Sequence, residues 1–211
     1  MIPFLLQNEK NKIMAKEFKN TRGKIYYIKS RMTKKGNTTY FMTVKLDKDC
    51  LNSVPEGYEV FEKYDMQTLY VRKKTASKFL KEEVAFIEKE LKSNTDIESY
   101  KLDVHSAEIK IYTVEKEAGR DSFIENSIAS FSFDKVKAAL FKNVLLRYEE
   151  RLKIQIKGKK EDKEFLVLRY CYRGSVDDWI VIDAGENLQE LAKRTIVHLG
   201  KESYFELYRI R

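Results

Sequence analysis

From Tyr40 to Leu46 the chain reads Tyr-Phe-Met-Thr-Val-Lys-Leu, with Tyr40, Met42, Val44 and Leu46 on one apolar face and Thr39, Thr43 and Lys45 flanking and opposite. A period of two is the spacing of a strand with one buried face, because successive side chains leave opposite sides of the pleat. Similar segments recur in pairs joined by short polar turns, which is the pattern of antiparallel hairpins. Lys24–Met32 and Tyr40–Leu46 flank Lys34-Lys35-Gly36-Asn37, and Tyr58–Glu62 and Thr68–Arg72 flank Lys63–Gln67. Ser99–His105 with Glu108–Glu115, and then Arg151–Lys157, Glu164–Tyr172 and Trp179–Asp183, continue the series.

Helical spacing interrupts these strands three times. One helix is expected from a Thr75 cap through Phe79, Leu80, Val84, Ile87 and Leu91. A second is expected from Asp134 through Val136, Leu140, Val144 and Tyr148, and a third from an Asn187 cap to Val197, stopped by Gly200. Strand pairs with helices between the groups predict an α+β fold of largely antiparallel sheet and about three helices. The expected division is an N-terminal extension or tail over 1–20, a basic hairpin region plus helix over 21–95, and an α+β region over 96–211. The break is placed near residues 93–98, and one continuous domain remains open at this point.

Charge is distributed unevenly. The net charge is +8, yet residues 1–48 hold 12 basic and 3 acidic residues, while 93–211 hold 21 of each. From Arg22 to Lys45 there is no acid at all, against Arg22, Lys24, Lys29, Arg31, Lys34, Lys35 and Lys45. Such asymmetry points to an anionic partner. A basic two-stranded ribbon can enter a nucleic-acid groove, and aromatic rings among lysines can stack on unpaired bases. The candidate nucleic-acid-binding residues are Lys24, Tyr27, Lys29, Arg31, Lys34, Lys35 and Phe41. The competing reading is an edge hairpin kept apart from its neighbours by lysine. The register decides: Tyr27, Lys29 and Arg31 share a face with Phe41 only in one of two alignments.

Several classes of chemistry find no support. Phosphate loops of the GxxxxGK[ST] or GxGxxG kind are missing, as is a serine-hydrolase elbow. Cys50, Cys171, His105 and His198 lack zinc-ligand spacing, so no metal or other cofactor is expected. Two free cysteines suit a reducing compartment, and the only N-terminal apolar run, Ile2–Leu6, is broken by Pro3 and short for a leader. A cytoplasmic protein without a membrane partner is therefore expected.

Two alternatives to binding by the hairpin stand beside it. Asp103 followed by Glu108-Ile109-Lys110 has the outline of a metal-dependent phosphodiesterase or nuclease, in which carboxylates hold the ion and a lysine steadies the attacking water. With 22 Glu and 30 Lys about 3 such E-x-K triplets arise by chance, and four occur, so the motif stands at background. The aromatic tail around Tyr204, Phe205 and Tyr208 could instead serve a protein partner or a homo-oligomer, if exposed. Asp177, Asp178, Asp183 and Glu186 form an acidic cluster whose composition is ordinary for turns.

Three segments, Val54–Glu62, Tyr170–Trp179 and His198–Leu207, together with the Thr-Lys-Lys-Gly turn of the first hairpin, resemble a group of uncharacterised bacterial proteins. The resemblance implies kinship and brings no activity or site residue with it.

Overall fold

The computed structural model describes residues 15–116, 126, 146–158, 163–173 and 176–208. The chain divides into two compact units: Met1–Lys63 with Gln67–Lys74, and Tyr64–Met66 with Thr75–Arg211. The stretch near residues 93–98 lies inside the second unit, between a helix and the strand that follows it.

The first unit holds two small antiparallel sheets. One has the order β1 (Phe18–Lys19), β2 (Ile25–Met32), β3 (Thr38–Thr43); the other is the hairpin β4 (Tyr58–Lys63) and β5 (Thr68–Lys73). Its apolar interior is modest: Tyr26, Tyr27, Ile28, Cys50 and Leu69 are buried. Polar tethers supplement it. Asn20, itself buried, donates from Nδ2 to the Gln67 carbonyl at 2.5 Å and accepts the Lys24 N–H at 2.8 Å. The Thr21 hydroxyl and amide both donate to the Glu62 carboxylate, the hydroxyl at 2.7 Å. Tyr40 meets Tyr58 edge-on, with ring centres 4.7 Å apart. The turn between β2 and β3 closes with Thr33 N–H to the Asn37 carbonyl at 2.8 Å, and Gly36 takes the positive φ of +78° that such a turn demands.

The second unit is a five-stranded antiparallel sheet, ordered β10-β9-β8-β7-β6, with two helices. The strands are β6 (Ile97–His105), β7 (Glu108–Glu115), β8 (Glu149–Lys157), β9 (Glu164–Arg173) and β10 (Val176–Gly185). The helices are α1 (Lys81–Ser93) and α2 (Leu188–Ile196), and a 3-10 turn follows over Glu202–Glu206. Alternate residues of every strand join one core: Ile109 and Ile111, Leu152 and Ile154, Phe165 and Val167, and Ile182. Ile87 and Leu91 of α1 and Leu188, Leu191, Ala192 and Ile196 of α2 complete it. Burying one such side chain contributes ~1.5–3 kcal/mol, so this core dominates the stability of the unit.

Helix boundaries follow from local bonds. Asn187 caps α2 as expected, its Oδ1 accepting the Gln189 and Glu190 amides. Thr75 does not cap α1. The Lys78 N–H bonds to the Ser106 carbonyl at 2.7 Å, holding that segment to the β6–β7 turn, and the helix begins only at Lys81, where Glu83 accepts the Leu80 N–H at 2.7 Å. Asn94 ends α1 and donates to the carbonyls of Ile196 and Leu199, closing α2 as well. Gly200 has φ +82°, and a Cβ there would stand 2.8 Å from Asp96, so both conformation and space require glycine.

Two α-helices, against the three expected, are present among the described residues. The expected middle helix falls on residues 134–145, outside them; Tyr148, assigned to its face, is buried in the extended run before β8. Among the described residues, no helix is long and apolar enough to cross a membrane.

Candidate nucleic-acid interface

The β2–β3 register pairs Tyr27 with Thr43, Lys29 with Phe41 and Arg31 with Thr39. Tyr27, Lys29, Arg31 and Phe41 therefore do share one face of the ribbon. Sharing a face does not make them equally accessible. The chain after β3 returns along the root of β2, where the Leu51 N–H bonds to the Ile28 carbonyl at 2.8 Å and the Lys16 N–H bonds to the Leu51 carbonyl at 3.2 Å.

That cover consumes two of the expected site residues. Tyr27 is only 8% exposed and donates its hydroxyl to Glu17 at 3.3 Å; burial, then the Glu17 charge, pushes its hydroxyl above the usual phenol range. Lys29 forms a close ion pair with Asp47. The shared hydrogen bond raises the Lys29 ammonium above its ordinary range and holds the Asp47 carboxyl below its own, so both stay charged and neutralise each other. Asp47 is the one acid in the first 48 residues after Glu17, which was the available sequence signal for this counter-ion.

Past Lys29 the ribbon emerges from its cover. Arg31, Lys34 and Lys35 are exposed, Phe41 is 38% exposed, and the Arg31 guanidinium lies 5.8 Å from the Phe41 ring centre. Lys45 is exposed as well, but it follows Thr43, the partner of Tyr27, and so lies at the root end of the ribbon. Among the described residues no carboxylate pairs with Arg31, Lys34, Lys35 or Lys45. Met32, 76% exposed, adds apolar surface near the tip, which charge counting alone did not single out, whereas the exposed Val44 and Leu46 follow Thr43 at the root end. Lys24 stands apart: it sits ten residues before Lys34, roughly 30 Å along an extended strand, with its Nζ 5.5 Å from the Tyr26 ring centre. The seven candidates thus resolve into a tip group of Arg31, Lys34, Lys35 and Phe41, a covered pair of Tyr27 and Lys29, and a remote Lys24.

The first unit also carries a cleft of about 670 Å³ lined by Glu17, Phe18, Lys19, Tyr58, Phe61 and Glu62, among others. Glu62 is engaged by Thr21 and Glu17 by Tyr27, so its acidic lining is structural.

The nuclease outline sits in the second unit. Asp103 of β6 faces Lys110 of β7 in register, and the Lys110 Nζ lies 3.5 Å from Glu108 and 3.9 Å from Glu150. Gln155 donates to Glu108 at 2.7 Å. These contacts form a cross-strand polar ladder. Among the described residues, no three His, Cys, Asp or Glu side chains are grouped to hold a metal ion. The Asp177–Glu186 cluster is likewise dispersed: Asp177 accepts the Tyr170 hydroxyl, Asp178 accepts the Trp179 N–H, and Asp183 pairs with Arg194 at 3.1 Å.

The aromatic tail splits in the same way as the hairpin. Tyr204 is 2% exposed, donates to the Arg151 carbonyl at 2.5 Å, and belongs to the core rather than to an exposed patch. Burial pushes its hydroxyl up to about 12, against the opposing pull of Arg151 and Arg169. The buried Arg169 donates to the carbonyls of Leu207 and Phe205 at 2.6 and 2.9 Å, fixing the tail to the sheet and leaving Phe205 and Tyr208 exposed.

Comparison of the chain with protein-family models, with curated proteins and with solved structures finds no match.

Proposed function

We propose that the first unit is a nucleic-acid-binding module whose β2–β3 tip grips the phosphate backbone, without catalysis. One observation carries the reading: Arg31, Lys34 and Lys35 cluster at the exposed tip of a two-stranded ribbon, with no carboxylate pairing any of them among the described residues. Phe41 under Arg31 adds an aromatic surface on which an unpaired base can stack. Lysine exceeds arginine at the tip, which suits backbone attraction more than base reading.

Three neutralised phosphates, one for each tip cation, set the salt dependence. With a slope of about −0.7 per contact for single strands and −0.9 for duplex, raising salt from ~50 to ~200 mM weakens binding about 20-fold or about 40-fold respectively. Titration of the full chain with a fluorescent oligothymidine and with a duplex, at three salt concentrations, measures this slope. Absence of binding to either at low salt overturns the proposal.

A further inference from the structure

The second unit carries a separate exposed surface. On β9 and β10, Tyr170 lies opposite Trp179 and Tyr172 opposite Asp177. These residues alternate with Phe165 and Val167, which enter the helix-backed core, so they occupy the other face of the sheet. Tyr172 is 82% exposed, its ring centre 4.6 Å from that of Tyr170, and Trp179 meets Tyr170 edge-on at 5.5 Å.

Exposed rings of this kind receive either nucleobases or cations, and the charges beside them separate the two. Asp177 and Asp178 are both exposed, and Asp177 accepts the Tyr170 hydroxyl at 2.9 Å. That hydrogen bond, with burial and the neighbouring carboxylates, raises the Tyr170 hydroxyl above its ordinary range, the direction a negative local potential imposes. A phosphate brought here is repelled. A cation is already held: Lys153 of β8 places its Nζ 3.7 Å from the centre of the Trp179 ring. On the outer strand Asp178 accepts the Trp179 N–H at 2.7 Å, so that backbone donor is already engaged.

The geometry points to a docking site for a lysine- or arginine-rich segment of a partner protein, its cation seated on the free face of Tyr172 beside Asp177. This surface is independent of the hairpin and of the nucleic-acid reading. Each cation–ring contact at an exposed site changes affinity only a few-fold, so the site is a weak one that gains from several basic side chains in succession.

Trp179 is the single tryptophan of the chain, so its fluorescence reports on this surface directly. Titrating the full chain with an octalysine peptide at ~20 mM salt is expected to change Trp179 emission saturably, with binding weakened by added salt. Tyr172→Ala and Asp177→Asn are each expected to raise Kd about 2- to 5-fold, and the pair about tenfold. Glu186→Gln, an exposed acid at the other end of β10, is expected to leave Kd unchanged, and a fully acetylated octalysine is expected not to bind. No change in emission with octalysine, equal binding of the acetylated peptide, or variants that bind as tightly as the parent each overturn the proposal.

Discussion

The two units use the same alternating strands toward opposite ends. In the second, sheet and helices enclose one continuous core, and basic and acidic residues nearly cancel along its length. In the first, 16 basic residues stand against 7 acidic ones, and few apolar side chains are buried, so polar tethers such as Asn20 and the Thr21–Glu62 pair supplement the core. Alternation alone does not distinguish a scaffold strand from a presenting strand. What separates them is whether both ends of the strand find cover: β7 to β9 have buried residues along their lengths, whereas β2 is buried at its root and bare at its tip.

The largest expected effect tests the scaffold side of this contrast. Ile154→Ala empties a fully buried position at the centre of the sheet and is expected to cost ~2–5 kcal/mol, read by denaturant unfolding and by hydrogen exchange of β7 to β9. Exchange of the β2–β3 tip is expected to be unaffected; a uniform loss of protection would mean that the two units share one cooperative core.

Alkaline titration separates the units next. Tyr204 titrates at about 12 in the folded state and near its ordinary value of ~10 when unfolded, so its contribution is complete below pH ~10 and is lost as pH rises through ~12. A shift of two units corresponds to ~2.7 kcal/mol, and Tyr204→Phe is expected to remove this part of the alkaline destabilisation while giving up ~1 kcal/mol from its bond to the Arg151 carbonyl. Phenolate absorbance and far-ultraviolet dichroism followed together across that range test it; Tyr204 ionising near 10 with no loss of structure would contradict the buried placement.

On the presenting side, Lys34→Glu with Lys35→Glu is expected to reduce nucleic-acid affinity at least ~10-fold and to flatten the salt slope by about 1.4 for single strands, with unfolding unchanged. Unaltered affinity would move the interface away from the tip. The smallest effect is the most diagnostic of the register. Asp47→Asn frees Lys29 and is expected to strengthen binding ~2- to 5-fold and steepen the slope by about 0.7. Weaker binding in that variant would mean that the Lys29–Asp47 pair shapes the ribbon rather than masking its charge.

Much of the architecture was legible before any coordinates. The β7 boundaries, the Asn187 cap and the Gly200 stop all followed from alternation and capping chemistry, because each depends on neighbours within a few residues. The candidate site was legible only in part. The excess charge and the aromatic hairpin were visible, and both alignments of β2 with β3 were open. The covering of Tyr27 and Lys29 could not be seen, since it comes from Glu17, Asp47 and Leu51, residues brought back by a chain reversal. Tyr204 shows the same limit at the other terminus: its aromatic neighbours Phe205 and Tyr208 share its composition, and only the position of Arg151 and Arg169 made one of the three a core residue.

By itself, then, the sequence determined the longer strands, the Asn187 cap of α2, and that the positive charge belongs to one end of the chain. These are properties of short windows and of summed charge. Only the tertiary structure decided which of those charges are free, which aromatic rings face water, and which acids stand beside them. Exposure and ion pairing depend on what lies within a few ångströms in space, and for Lys29 and Asp47, or Tyr172 and Asp177, that neighbour is supplied by a strand register or a returning loop that no local pattern specifies.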